Sequence, residues 1–368
     1  MSKAYLILAD GTVFEGKSIG AEGSAIGETV FTTGMTGYIE TLTDPSYYGQ
    51  IITQTFPLVG NYGVIPEDFE SKKSQVKGYV VRELCDKPSN FRCQSDLDSF
   101  LKKQGIVGIS GIDTRMLTKR LRESGVMNGM IISEIESGNL KTENYLPQIR
   151  EYKIEDAVKS VSHKTPNAND ESKSKFSTFN SQFSVCLWDF GAKANIQREL
   201  EKRGCTVTVV PCDTTAEEVI SLAPDGIMLS NGPGDPAENV SIIEEIRKLC
   251  EHGKIPIFGI CLGHQMLALA RGAKTSKLKY GHRGGNHPCK DLETVRIYIT
   301  SQNHGYAVEN DSLPPCAKLL FVNENDGTCE GISYTDIPAF SVQFHPEASG
   351  GPHDTNFLFD RFVEMMKS

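Results

Sequence analysis

The sequence predicts an α/β protein in two parts: a smaller mixed β/α domain over residues 1–153 and a doubly wound α/β domain over 184–368, joined by a polar linker over 154–183. Three features carry that expectation. Residues 164–182 are rich in Ser, Asn and Lys and lack the apolar period of a helix or strand. Ahead of them run short apolar segments punctuated by glycine, and behind them apolar runs alternate with longer helix-like segments.

In the first part, residues 5–9 and 12–14 flank Asp10-Gly11, a turn dipeptide that favours a hairpin. Asp113 can cap a helix through 115–121 that stops near Gly125. In the second part, 185–190, 206–210, 226–230 and 256–260 read as buried strands. Between the last two, residues 240–251 place Ile242, Ile243, Ile246, Leu249 and Cys250 on one helical stripe that packs on a sheet. Further strand-like runs cover 293–299, 318–322 and 339–344, and 354–366 closes the chain as an amphipathic helix.

Bulk properties narrow the function. A chain of 368 residues with 39% hydrophobic and 23% charged residues has ordinary globular composition, with cores to bury. Its net charge of -9 is spread along the chain without a basic stretch, so neither nucleic acid nor a phosphate backbone is an expected partner. No apolar run approaches the roughly 18 residues of a membrane span, and the N-terminal run is too short for a signal peptide, so a cytoplasmic location is expected. The ten cysteines have scattered spacings with no Cys-x-x-Cys pair, and are expected to be reduced thiols.

The chemistry concentrates where the strand 256–260 ends. Gly259-Ile260-Cys261-Leu262-Gly263 has the form of a nucleophile elbow: glycines on both sides allow a sharp turn that presents Cys261 at a helix N-terminus. The helix dipole favours a thiolate there. A cysteine after a strand is otherwise a small buried hydrophobe, so a base is required. Phe344-His345-Pro346-Glu347 supplies one, with His345 as the base and Glu347 as the group that fixes its tautomer. Residues 229–236, Leu-Ser-Asn-Gly-Pro-Gly-Asp-Pro, come after a strand and leave backbone N–H groups uncovered.

Gly-Ile-Cys-Leu-Gly-His-Gln at 259–265 together with His-Pro-Glu at 345–347 is similar to the class I (triad) glutamine amidotransferases. That resemblance implies a flavodoxin-like amidotransferase domain, catalysis by Cys261, His345 and Glu347 through a glutamyl thioester, and an oxyanion loop at 229–236 with the Leu262 N–H as second donor. Residues 32–38 (Thr-Thr-Gly-Met-Thr-Gly-Tyr), 42–47, 61–63 and 109–115 resemble the carbamoyl-phosphate synthetase small subunit. Residues 189–193, 281–288 and 302–306 extend the match over nearly the whole chain outside the linker.

Carried residue by residue, the resemblance implies an L-glutamine site made by Ser46, Gly232, Gly234, Leu262, Gln265, Asn303, Gly305 and Tyr306. Tyr306 is often phenylalanine in relatives, which matters little if the contact is through backbone. Without the resemblance, Asp44-Pro45-Ser46 is a plain turn sequence. The family further implies a large ATP-dependent synthetase subunit as partner, fed with ammonia, and no cofactor in this chain, since ATP and magnesium belong to that subunit. A stand-alone glutamine or γ-glutamyl hydrolase would use the same triad, but the long N-terminal domain argues against it. The intact triad argues against a catalytically silent regulatory subunit.

Two further signals are set aside. Residues 11–18 fit the pattern G-x-x-x-x-G-K-[ST], yet Thr12-Val13-Phe14 prefers extended structure, and the residues after Ser18 are interrupted by glycines at 20 and 23. His282, His287 and Cys289, or Cys261 with His264, lack the paired spacing of a zinc site, so no metal is expected.

Overall fold

A computed structural model describes residues 2–133, 140–166 and 182–367. Two compact units divide the chain, Met1–Glu155 and Asp156–Ser368.

The first unit contains strands β1 (Lys3–Leu8), β2 (Val13–Gly20), β3 (Ser24–Thr32), β4 (Gln50–Gln54), β5 (Leu58–Val59), β6 (Gly78–Val80), β7 (Glu83–Leu84), β8 (Val107–Ser110) and β9 (Met127–Ile132). Its helices are α1 (Tyr38–Thr43), α2 (Leu97–Gln104), α3 (Thr114–Ser124) and α4 (Leu146–Glu151). Seven strands close into a barrel in the order β1-β2-β8-β6-β4-β3-β9, which removes the exposed edges an open sheet would leave. The expected hairpin joins β1 to β2: Thr12 N–H donates to Asp10 Oδ1 at 2.9 Å, and Gly11 takes φ +89°. Because β2 runs extended through Val13–Gly20, residues 13–18 of the apparent phosphate-loop pattern lie in a strand rather than opening a helix. Asp113 caps α3 by accepting from Met116 N–H at 2.9 Å, and Gly125 ends it. Val30, Ile52 and Tyr79 from the strands share a core with Ile39 and Leu42 of α1 and Leu97 and Leu101 of α2.

The second unit opens with α5 (Ala157–Val161), whose Val158 joins the core of this unit although it lies within the stretch read as linker. Residues 167–181, the body of that stretch, lie outside the described residues. Then come β10 (Phe183–Trp188), α6 (Ala194–Lys202), β11 (Cys205–Val210), α7 (Ala216–Ser221), β12 (Gly226–Leu229), α8 (Val240–His252), β13 (Ile257–Ile260) and α9 (Leu262–Ala270). Strands β14 (Thr275–Asp291), β15 (Ile297–Val308), β16 (Ala317–Asn323), β17 (Cys329–Tyr334) and β18 (Ala339–Val342) come next, and α10 (Phe357–Met365) is the last element.

The nine strands order as β11-β10-β12-β13-β18-β17-β16-β14-β15. The first five are parallel, in the second-first-third-fourth-fifth order of a flavodoxin-like sheet. Helices cover both faces: Ile246, Leu249 and Leu267 of α8 and α9 pack on one side, and Ile196, Leu200, Phe359 and Phe362 of α6 and α10 on the other. Burial on two faces explains why β10, β12, β13 and β18 read as largely apolar runs without polar alternation. The run 293–299 is divided: residues before Ile297 form a turn held by Asp291, which accepts from Glu293 and Thr294 N–H, with Val295 at φ +62°.

Candidate active site

Four loops at the carboxyl ends of parallel strands, those after β10, β12, β13 and β18, converge at the edge where open α/β sheets place their ligands. Cys261 stands between β13 and α9 at φ 53° and ψ -102°, a conformation that side chains other than glycine's rarely adopt and that costs on the order of 1–3 kcal/mol. Neighbouring glycines make the turn sterically possible. A Cβ at Gly263 would meet Leu229 O at 2.3 Å, and one at Gly259 would meet the Gly263 carbonyl at 3.0 Å. Cys261 N–H is anchored to Val342 O at 2.8 Å, tying the elbow to β18.

His345 and Glu347 lie just past β18, and both are buried with Cys261. His345 Nδ1 donates to Glu347 Oε1 at 2.7 Å, which turns Nε2 away from the carboxylate as a buried atom with no hydrogen bond of its own. Burial and Lys193 push the imidazole toward its neutral form, but Glu347 and the Cys261 sulfur outweigh them and hold its pKa up at about 10. Burial also opposes charge on Glu347, yet His345 and Lys193 bring its carboxyl down to about 2. Thus a thiol, an imidazole electrostatically coupled to it, and an ionised carboxylate meet at one sheet edge.

The loop after β12 is braced rather than slack. Ser230 Oγ accepts from Phe190 N–H at 2.9 Å, Ser230 O accepts from Gly263 N–H at 3.0 Å, and Asn231 bridges Gly191 O and Lys193 N–H at 3.0 Å each. Only glycine fits at 232, where a Cβ would lie 2.2 Å from Phe190 O, and Gly234 takes φ +89°. Leu262 N–H, at the first position of α9, has no acceptor within the helix.

Of the remaining positions, all but Ser46 lie on β15 and α9. Cys261 Sγ approaches Asn303 O at 3.7 Å, and Ser301 O accepts from His345 N–H at 2.9 Å. Gln265 Nε2 donates to Tyr306 O at 2.7 Å and to Gln343 Oε1 at 2.9 Å. Tyr306 is therefore engaged through its carbonyl, while its ring lies 5.8 Å from Lys277 Nζ. Gly305 packs under Arg283, whose Nη2 would lie 3.4 Å from an added Cβ. Ser46 belongs to the first unit, buried in the 3-10 turn Pro45–Tyr47, where its N–H donates to Asp44 Oδ1 at 2.9 Å.

Two histidines beside the motifs have other settings. His264, next to the elbow, bonds Ser341 Oγ through Nδ1 at 2.8 Å, and burial pushes it down to about 3, so it is neutral. His282 lies in a buried group with His304 and Glu330, whose ligand-type atoms fall within 4.8 Å of one another, and it also pairs with Asp326 at 2.8 Å. The sequence had grouped it with His287 and Cys289. His304 reaches it through the pairing of β14 with β15, and Glu330, on β17, through β16, which pairs with both β14 and β17; no local spacing reveals either.

Sequence reasoning missed Lys193. Its Nζ lies 3.4 Å from Glu347 Oε1 in a buried setting, and Asn195 Nδ2 donates to the Glu347 carbonyl. A lysine at the end of Asp-Phe-Gly-Ala-Lys, after a strand, looks like a solvated loop residue; only its nearness in the fold to residue 347 marks it.

Comparison with known proteins gives consistent matches. The family profile of the carbamoyl-phosphate synthase small chain, CPSase domain, matches residues 6–131, and that of glutamine amidotransferase class-I matches 186–365. A carbamoyl phosphate synthase small chain of Listeria monocytogenes is 53% identical over 368 residues, covering 100% of this chain and 97% of its own. Proteins of the same description from Staphylococcus epidermidis and Clostridium perfringens are each 50% identical, over 100% and 98% of this chain and 97% and 99% of their own lengths.

Proposed function

We propose, from the premise that this chain belongs to the carbamoyl-phosphate synthase small-chain family, that its glutamine hydrolysis runs through Cys261, His345 and Glu347. Membership makes the chain the glutamine-hydrolysing small chain of a carbamoyl-phosphate synthase, and a small chain implies a large one. The assignment of the three residues rests above all on one observation: the strained elbow presents Cys261 beside a buried His345 that Glu347 orients at 2.7 Å.

In the reaction, His345 Nε2, its pKa raised to about 10, holds the proton given up by Cys261 as the sulfur attacks the side-chain amide carbon of L-glutamine. The carbonyl oxygen, now negative, lies against the Leu262 N–H and the braced glycine loop; one such donor is typically worth about a hundredfold to a thousandfold in rate. His345 gives its proton to the departing nitrogen, the C–N bond breaks, and ammonia leaves a glutamyl thioester. A water then loses a proton to His345 and adds to the thioester; the C–S bond breaks, the proton returns to sulfur, and glutamate departs.

Gln265, Gly232, Gly234, Asn303, Gly305 and Tyr306 hold the substrate in this scheme, the last chiefly by main chain. Ser46 is kept among them on the resemblance alone. The ammonia goes to a large chain that carries the ATP and magnesium chemistry with bicarbonate, in the cytoplasm. Among the described residues no helix is long and apolar enough to cross a membrane.

The test is a glutaminase assay of Cys261→Ser beside purification of the native chain. The variant should lose several orders of magnitude in turnover, and a large ATP-dependent chain should copurify. Equal rates in variant and parent would remove Cys261 from the mechanism.

A further inference from the structure

Lys193 is a buried ammonium at the active site with no assigned task. Its Nζ stands 3.4 Å from Glu347 Oε1, the same oxygen that accepts from His345 Nδ1 at 2.7 Å. The other carboxylate oxygen, Oε2, is buried and makes no hydrogen bond. Oε1 therefore faces two cationic groups while Oε2 accepts no hydrogen bond, an uneconomical way to satisfy a buried carboxylate if stability were its only purpose.

The placement of Lys193 is built. Its N–H donates to Asn231 Oδ1 at 3.0 Å, and Asn231 Nδ2 returns a bond of 3.0 Å to Gly191 O. Asn195, two residues on in α6, donates to the Glu347 carbonyl. The loop that carries Lys193 is thereby fastened both to the glycine loop after β12 and to the turn that carries Glu347. Asp189, in the same loop, does not compete, since its carboxylate accepts from Gly191 and Ala192 N–H and pairs with His163.

The titratable groups facing the His345 imidazole are Glu347, Lys193 and the Cys261 sulfur, while β15 faces the site with the carbonyls of Ser301 and Asn303. Burial and Lys193 oppose a protonated ring, while Glu347 and the sulfur favour it; of the two opposing influences, Lys193 is the one a side-chain substitution removes. A ring held too firmly in the protonated form cannot deliver its proton to ammonia or take one from water.

The geometry points to Lys193 as a positioning residue of the glutaminase centre: by sharing Glu347 Oε1 with the imidazole, its ammonium limits how tightly that carboxylate holds the protonated ring, so that His345 can release its proton in each half-reaction. This rests on the assignment of Cys261, His345 and Glu347. In this role Lys193 acts through Glu347. Losing it slows hydrolysis of the thioester most, because that step begins with a neutral ring.

The experiment compares Lys193→Met and Lys193→Arg in the full chain, reading kcat for glutamine hydrolysis against pH and the amount of glutamyl thioester trapped by acid quench. For Lys193→Met the acidic limb of kcat should move to higher pH by about one unit, with thioester accumulating about tenfold over the parent. Lys193→Arg, which keeps the charge, should hold the limb in place. Lys193→Gln reads the same limb if the methionine variant does not fold. An unmoved limb in the uncharged variants, whatever their rate, overturns the proposal, as does a limb that moves equally in Lys193→Arg. An active Cys261→Ser would instead overturn the triad assignment beneath it, so the two failures are distinguishable.

Discussion

Gly263→Ala tests how closely the elbow's geometry is set by packing between α9 and β12. A Cβ at this position would lie 2.3 Å from Leu229 O, 2.7 Å from its carbonyl carbon and 2.8 Å from its Cβ. These are atoms of a buried central strand and cannot swing aside as a side-chain tip would. To restore even a 3.0 Å contact, the first turn of α9 has to retreat from β12 by at least about 0.7 Å. The Gly263 N–H bond to Ser230 O, 3.0 Å long, stretches with it, and Cys261 and the Leu262 N–H are carried away from the glycine loop. Misplacement near 1 Å at a reacting centre costs about a hundredfold, so kcat for glutamine hydrolysis should fall by about 30- to 100-fold. Overpacking should lower stability by about 1–3 kcal/mol. Steady-state glutaminase kinetics and denaturant unfolding of the same preparations read both. Gly285→Ala, whose Cβ would meet nothing nearer than Pro352 Cδ at 3.4 Å, is the control that should change neither. A folded Gly263→Ala within threefold of parental kcat would refute the claim that elbow position is set by this contact.

The same structure sets three other outcomes. Because residue 261 sits at φ 53°, Cys261→Gly should be about 1 kcal/mol more stable than Cys261→Ala by chemical denaturation, although both should be inactive; a less stable glycine variant would mean the turn stores no strain. His345 is raised to about 10, so its contribution to stability is complete below the unfolded value near 6.5 and is lost as pH rises toward 10. Glu347, lowered to about 2, loses its contribution only as pH falls from about 4.5 through 2. Parental stability should therefore decline between pH 6.5 and 10, and unfolding curves of His345→Asn should show a smaller decline across that range. Tyr306→Phe should leave kcat and KM within about threefold, because the carbonyl of residue 306, not the phenol, accepts from Gln265 and His304; a large rise in KM would place the hydroxyl in the substrate site.

Local signals were legible where the physics is local. The Asp10-Gly11 hairpin, the Asp113 cap and the apolar stripe of α8 depend on neighbours in sequence and stand as expected. So does the elbow, because glycines at 259 and 263 are needed within the turn itself. Strand β14 was not legible: Lys277, Gly281, His282, Gly284 and Gly285 show no alternation of polar and apolar residues, and their pairing with β15 is shifted by irregularities. Val295 misled by continuing the alternation of Ile297 and Ile299 backward into what is a turn. Closure of the N-terminal barrel depends on pairings such as β1 with β9, far apart in the chain, which no window contains. Lys193 was missed for the same reason, since its partner lies on a turn at the other end of the domain.

The claim on which all of this rests is that Cys261, out of ten cysteines, is the nucleophile. A chloroketone analogue of glutamine, incubated with the full chain until glutaminase activity is lost and then located by peptide mapping, tests it most directly. The account predicts one label per chain, on Cys261, with glutamine protecting against it and no labelling at that peptide in Cys261→Ser. Inactivation with the label on any other cysteine, or with Cys261 unlabelled, would contradict it.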